Sequence, residues 1–337
     1  MIKLPKITVI TATFNLIKDE REHFFRQCVE SVHNQTYPNI EHIVMDGAST
    51  DGTLDLIKEY EEKGWLKCYS EPDEGMWEGM NKGLKVATGK YITFLNSDDL
   101  YHSKDILEKA VQKLEESGAD YLYADFILKN KNDEFICNCG SSVREEFFVR
   151  QPFNHESLVV KKEVYEKLGG YNCSYETTID YAFICSLIMN DCSAVYLDRL
   201  FFTARLGGGT TETNGKPRPH VIKTVTKLYK DLYSPFWNLS DDECYKMFIY
   251  HQFTPSFLEM LKLYMTKKDL KNFNYVIFFD LLKQYMNNTN TDSTLTSKIK
   301  ETYYLFGILP FLTKHRKNKI VRYKLLGFIP IMNKKEK

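Results

Sequence analysis

The chain has no excess charge of either sign: 45 Lys and Arg stand against 45 Asp and Glu in 337 residues. Without a basic field it does not read as a nucleic-acid binder. No apolar run approaches the length that spans a bilayer. No signal peptide is expected, because residues 1–6 run straight into a β-favouring segment. The 8 cysteines are scattered singly except for Cys137-Asn138-Cys139. No second close pair completes a zinc set, and the expectation is reduced thiols in a cytoplasmic protein. The segment 11–15 after the first strand pattern has no glycine and no base. That argues against a loop built to cradle a triphosphate. Aromatic residues are plentiful, with 22 Tyr and 22 Phe, which suits aromatic-lined pockets or simply an aromatic core.

The first half alternates strand and helix patterns. Ile7 to Ile10, His42 to Met45, Leu66 to Tyr69 and Tyr91 to Leu95 read as strands. Between them Phe25, Cys28, Val29 and Val32, then Leu54, Ile57 and Tyr60, then Met76, Met80 and Leu84 recur at helical spacing. This order predicts an α/β fold with a mostly parallel sheet flanked by helices. Ligands of such sheets bind at the carboxyl ends of the strands. Three of those ends carry polar groups: 11–15, 46–51 and 96–99. Further on, the patterns predict a helix over 106–114, strands over 121–125 and 135–139, a helix over 164–168 stopped by Gly169-Gly170, and another opened by Asp180. From about 216 helical patterns dominate, with a capping box at Ser240-Asp241-Asp242-Glu243. The expected organisation is an α/β domain over 1–215, a helical extension over 216–286, and a linker and tail over 287–337.

Asn96-Ser97-Asp98-Asp99 places two adjacent carboxylates where a buried strand leaves the core. Such a pair repels unless a cation sits beside it. Mg²⁺ or Mn²⁺ held by carboxylate and substrate phosphates is one solution, and a polar turn capping a helix is the other.

Four motifs, taken in order, decide the reading. They are Ile10-Thr11-Ala12-Thr13-Phe14-Asn15, Val44-Met45-Asp46-Gly47-Ala48-Ser49-Thr50-Asp51-Gly52-Thr53, Ser70-Glu71-Pro72-Asp73-Glu74-Gly75 followed by Met80-Asn81-Lys82-Gly83, and Leu95-Asn96-Ser97-Asp98-Asp99. Over its first ~210 residues the chain resembles an inverting family 2 glycosyltransferase of GT-A fold, of the bacterial O-antigen and capsule subgroup. The resemblance implies a UDP-sugar donor, a glycan or lipid-linked acceptor and a divalent metal. It implies that Thr11, Thr13 and Phe14 cup the base and that 96–99 stands at the D-x-D position. Asp46 can accept from uracil or ribose hydroxyls, or make a turn, which suits Asp51 better. Asp73 and Lys82 are further donor contacts, although Lys82 also fits a solvated lysine on an amphipathic helix. Asn96 brings an amide where the family has its first acid, so the metal rests on Asp98, with Asp99 adjacent. The resemblance further assigns the catalytic base to Asp180, downstream of Leu168-Gly169-Gly170-Tyr171, with Glu176 as the second candidate. It puts His155 on the acceptor side, where a buried structural histidine is the competing account. His220 matches the place of a further metal ligand in some relatives. Arg205, before the glycines of 207–209, reads as the start of a loop that closes over the diphosphate or as an ordinary connection.

Two rival functions are weaker. A sugar-nucleotide pyrophosphorylase lacks its basic, glycine-rich loop here, and a non-catalytic sugar-nucleotide-binding component has no need of Asp98, Asp99 and Asp180 together. In the tail, Leu305-Phe306-Gly307-Ile308-Leu309-Pro310 repeats as Leu325-Leu326-Gly327-Phe328-Ile329-Pro330 among clustered Lys and Arg. This fits peripheral contact with the inner face of the cell membrane, or packing loops with a solvated basic end.

Overall fold

The structure is a computed structural model. It describes residues 4–250 apart from 131, 142–146, 148, 206–218 and 235–237. The glycines of 207–209, the linker and the repeated tail lie outside the described residues.

The parallel half of the sheet forms as the patterns predict. β1 (Ile7–Thr13), β2 (Ile40–Asp46), β3 (Lys67–Ser70) and β4 (Tyr91–Phe94) are joined by α1 (Glu22–His33), α2 (Thr53–Glu62) and α3 (Met76–Val86). They lie side by side as β3-β2-β1-β4, all parallel. Tyr91 to Phe94 are wholly buried, as a strand covered on both faces must be. Phe25, Val29, Val44, Leu56, Ile57 and Tyr60 pack together between α1, α2 and the sheet. Burying side chains of this size stabilises by about 1.5–3 kcal/mol each.

Beyond β4 the sheet changes direction. It continues through β5 (Leu100–Tyr101), α4 (Ile106–Ser117), β6 (Tyr121–Lys129), β7 (Phe135–Cys139), β8 (Val159–Lys161), α5 (Lys162–Leu168), α6 (Ile179–Met189) and β9 (Ala194–Arg205). β8 is antiparallel to β4 and to β6, whereas β9 is parallel to β6. The full order is β3-β2-β1-β4-β8-β6-β9-β5, with β7 on β6. The periodicity did not predict β5, β8 or β9. β5 and β8 are too short to show a period. β9 carries two register shifts opposite Ala124 to Phe126, so its alternation is broken in the middle. That irregular strand ends at Arg205 beside the turn that follows β4, which makes it part of the site.

The contacts divide the chain into two compact units, Met1–Leu228 and Tyr229–Lys337, so the break falls inside α7 (Pro219–Tyr233). Val221, Val225 and Leu228 of α7 are buried in the spacing expected. In the second unit, α8 (Asp241–Tyr250) opens with the predicted capping box. The Ser240 hydroxyl and the Glu243 carboxylate bond each other, and Glu243 also accepts from the Ser240 N–H at 3.0 Å. Among the described residues no helix is long and apolar enough to cross a membrane.

Candidate active site

The carboxyl ends of β1, β2 and β4 meet along one rim, and the polar segments after them are tied together. The Asn15 N–H donates to Ser49 Oγ at 2.9 Å, and Thr50 N–H donates to Asn15 Oδ1 at 3.1 Å. Asp51 accepts from Lys18 N–H at 2.7 Å and from Thr53 N–H at 3.1 Å, so it braces the neighbouring loop against the start of α2, whose N-cap is Gly52. The loop 14–21 and the turn 46–53 thus form one braced body.

On this body Phe14 is 56 % exposed, unusual for a phenylalanine, and presents a ring at the rim. Beside it, Asp73 sits in a cradle of two glycines. A methyl group at Gly47 would come within 3.1 Å of the Asp73 carboxylate and 3.2 Å of the Phe14 ring, and one at Gly79 within 3.0 Å of Asp73. Partial burial raises the Asp73 pKa above the usual carboxylate value, against the Gly75 N–H bond at 2.9 Å. Lys82 holds the same loop: its ammonium donates to Pro72 O at 2.5 Å and lies 3.6 Å from Glu71 and 3.7 Å from Glu78. Asp46 is buried, and its two oxygens accept from Ser49 N–H, Ser49 Oγ and Ser70 Oγ at 2.5–3.0 Å. Thr13 Oγ1, 3.5 Å from Asp46 Oδ1, is a further donor shared with Met45 O, so the protein occupies nearly all of the roughly four acceptor sites of this carboxylate. Thr13 donates to Met45 O at 3.4 Å, and Thr11 is wholly buried against the His42 ring at 3.1 Å. Burial lowers the His42 pKa to about 3, so that contact is with a neutral imidazole.

The turn after β4 divides its two carboxylates. Asp98 faces outward, and its carboxylate lies 2.7 Å from the Arg21 guanidinium, with the two side chains 26 % and 35 % exposed. Asp99 faces inward, where it accepts from the Arg205 N–H at 2.8 Å and shares a hydrogen bond with the Glu156 carboxyl. Burial and the neighbouring Asp98 charge raise Asp99 to about 7, and burial beside Asp99 raises Glu156 well above the carboxylate range. Two carboxyl groups this close in the interior hold one proton between them. Glu156 also accepts from the Asn96 N–H at 2.8 Å. The Arg205 guanidinium is engaged by Asp133 at 3.0 Å, by the Asp98 carbonyl and by Gln27, and it lies over the Phe24 ring. In this structure it buttresses the turn from beneath.

The shared proton makes a prediction. The folded chain keeps protons on these two groups that the unfolded chain loses near pH 4. The metal-free protein is therefore destabilised as pH rises from about 4 through about 7. Glu156→Gln retains one acceptor for Asn96 and a donor for Asp99 and removes a titrating group. Urea midpoints of the variant should fall less steeply with pH than those of the wild type. Parallel pH profiles would contradict the shared proton.

Asp180 lies in the first turn of α6, whose N-cap is Thr178, so the capping role available from the sequence is not the one it has. Gln151 donates to it at 2.9 Å, the Tyr181 N–H at 2.8 Å, and His155 Nδ1 stands 3.6 Å away. Burial pushes its pKa up, but His155, Gln151 and the N–H outweigh this, and the net shift is downward. Neither ring nitrogen of the buried His155 has a hydrogen-bond partner among the described residues. Trp77 covers His155 and Tyr171, with ring centroids 5.0 and 4.9 Å away. Asn81 docks the Gly169-Gly170-Tyr171 segment onto α3 through both Tyr171 backbone groups, at 2.8 and 2.9 Å. Glu176, the second base candidate, is exposed and holds φ 50°, ψ −100°, an unfavourable backbone region. His220 is exposed on α7.

A 3₁₀ turn, His155–Ser157, joins the two halves: His155 faces Asp180, and Glu156 holds the Asn96 N–H. Residues 8–158 match the family model described as "Glycosyl transferase family 2". The chain carries a family 2 glycosyltransferase domain. A PGL/p-HBAD biosynthesis glycosyltransferase of Mycobacterium bovis is 25 % identical over 182 residues, 53 % of this chain and 68 % of that protein. Glycosyltransferase GlyA of Streptococcus pneumoniae is 33 % identical over 129 residues, 38 % of this chain and 18 % of GlyA. The fold is also that of S. aureus TarS 1-349, solved in complex with UDP-GlcNAc: TM-score 0.55, 18 % identity, 96 % of this chain and 98 % of that one. Mannosyltransferase PcManGT from Pyrobaculum calidifontis, in complex with GDP-Man and Mn2+, shares it at TM-score 0.52 and 17 % identity, over 90 % of this chain and 86 % of that one. The GT-A assignment expected from the motifs therefore holds, and the family 2 domain makes the chain a glycosyltransferase.

Among the described residues no three His, Cys, Asp or Glu side chains gather into a metal site. The donor set still suits a hard divalent ion. The outward Asp98 carboxylate is joined by the Asn96 amide oxygen, buried without a protein partner, two residues before it. Asp99 is turned away from that side by its bonds to Arg205 and Glu156. The sequence reading missed Arg21, Glu156, Gln151 and Trp77. Nothing in their local spacing distinguishes them, because each acts on a partner distant in the chain.

Proposed function

We propose that residues 1–215 catalyse inverting transfer of a hexose or N-acetylhexosamine from a UDP-sugar to a hydroxyl of a glycan or lipid-linked acceptor, in the synthesis of a cell-surface polysaccharide. The observation that carries this reading is the 3₁₀ turn linking an ionised Asp180 to the end of β4. That link supports a proton acceptor and an oxygen-rich diphosphate end on one rim.

In this account Phe14 stacks on the base, and Asp73 and Asp46 bound the nucleoside side. Asn96 accepts from a ribose hydroxyl or joins Asp98 on the metal. Asp98 would hold Mn²⁺ or Mg²⁺, which when bound would supply Lewis-acid stabilisation of the departing diphosphate. Asp180 takes the proton of the acceptor hydroxyl as that oxygen attacks the anomeric carbon in line. Gln151 and the Tyr181 N–H fix the carboxylate, and His155 supports its charge. The complexes of TarS with UDP-GlcNAc and of PcManGT with GDP-Man and Mn2+ support a nucleotide-sugar donor. The free cysteines of the described residues suit an enzyme of the reducing, cytoplasmic compartment. The basic, apolar tail would hold it at the inner face of the membrane, close to a lipid-linked acceptor.

Thermal shift against a panel of nucleotide sugars with Mn²⁺ tests the donor. UDP and one or more UDP-sugars should raise the melting temperature, by linkage, more than GDP-, CDP- or dTDP-sugars do. A response to triphosphates and none to diphosphate sugars would favour the pyrophosphorylase.

A further inference from the structure

We propose that Arg21 occupies the cation position at Asp98 in the donor-free protein, and that when a divalent metal displaces it the guanidinium transfers to the donor's diphosphate. The second half rests on the function proposed above; the first does not.

The argument starts from the ion pair. Asp98 is the outward carboxylate of the turn, and the one charged partner of its side chain among the described residues is Arg21 at 2.7 Å. A metal approaching Asp98 meets a guanidinium already there. At 2.7 Å the guanidinium and an incoming cation compete for the same carboxylate and repel each other directly, although solvent around the partly exposed pair weakens every charge there. Arg21 is also placed to move while its backbone stays. Its N–H donates to Leu16 O at 2.8 Å, and its carbonyl receives the Phe25 N–H at 3.1 Å as α1 begins. The preceding loop is held by its bonds to 49–53 and includes Asn15 and Glu20 at positive φ, 45° and 55°. The guanidinium itself is about one third exposed and bonded to nothing else among the described residues. Arg205 offers the contrast: it is buried and engaged by Asp133, Gln27 and the Asp98 carbonyl, so it cannot leave without breaking the turn.

A planar, always-charged fork matches phosphate oxygens as well as it matches carboxylate. Arg21 therefore has two partners of similar chemistry within reach of one rim. Asp98 serves when no ligand is bound, and the diphosphate serves once the metal takes Asp98. The exchange keeps Asp98 neutralised throughout and makes free metal a poor ligand until the donor brings its own oxygens.

The test titrates Mn²⁺ into the nucleotide-free full chain, following free Mn²⁺ by electron paramagnetic resonance. Arg21→Gln should bind Mn²⁺ about tenfold more tightly than the wild type, since a competing charge is gone. Arg21→Lys should stay near the wild type, and Asp98→Asn in the Arg21→Gln background should lose the gain. At saturating Mn²⁺, UDP should bind Arg21→Gln about fivefold more weakly. Equal or weaker Mn²⁺ binding by Arg21→Gln would overturn the placeholder. Tighter Mn²⁺ binding with unchanged UDP affinity would overturn the transfer to diphosphate. Failure of the wild type to bind UDP with Mn²⁺ is a different result, which strikes the donor reading and leaves the Mn²⁺ competition standing.

Discussion

Asp180→Asn should lower transfer by a factor of about 10²–10⁴, the usual contribution of a positioned general base, while UDP affinity in the presence of Mn²⁺ stays within about twofold. The amide keeps the volume of the carboxylate, and its oxygen still accepts from Gln151 or the Tyr181 N–H, so α6 stays in place. It cannot take a proton. The downward shift of Asp180 also sets the acid limb. The group stays ionised below the ordinary aspartate range, so the wild-type rate should not fall through loss of this base until the pH is well below neutral. Steady-state transfer and isothermal titration with UDP measure the two halves. A loss of UDP affinity as large as the loss of rate would move Asp180 from proton acceptor to donor contact. Glu176 offers no relief in the variant, because it is exposed on a kinked turn.

Asp98→Asn should act the other way round. In the proposed reaction nucleotide binding would depend on the metal, and the metal on this carboxylate, since Asp99 is committed to Arg205 and Glu156. UDP affinity with Mn²⁺ should fall at least about tenfold, and Mn²⁺ should no longer stimulate turnover. Folding stability should change by less than about 1 kcal/mol, because the Asp98–Arg21 pair is partly exposed and screened by solvent. Titration calorimetry with and without Mn²⁺, beside a urea melt, measures both. A variant with wild-type, metal-stimulated UDP binding would remove Asp98 from the metal.

The two substitutions together separate the ends of the rim, and they show how far the sequence could be read. The β-α-β order and the parallel half of the sheet were legible because each buried strand is a continuous apolar run and each helix a 3.6-residue stripe. Asp46 and Asp98 could be placed at the sheet rim because polar groups at strand ends stand out against such runs, whereas Asp180 was singled out through the family resemblance. The direction each carboxylate faces was not. Asp98 and Asp99 are adjacent, yet one meets Arg21 at the surface and the other meets Glu156 inside. That difference comes from β9 and the 155–157 turn, which reach the β4 end from far along the chain. Lys82 and Arg205 illustrate the same limit: as sequence they are cations near a phosphate site, and in the fold they are fasteners, one for the Asp73 loop and one for the Asp98 turn. Asn81 is the reverse case. Its motif was recognised from resemblance alone, and its two bonds to Tyr171 supply the physical reason: it seats the segment that leads into Asp180.

The most direct test is release of UDP from a panel of UDP-sugars by the purified full chain, with and without Mn²⁺ and with Asp98→Asn as control. The account predicts metal-stimulated release from at least one UDP-sugar by the wild type and none above background by Asp98→Asn. Absence of metal-dependent release from every UDP-sugar, under conditions where the protein is folded, would contradict it.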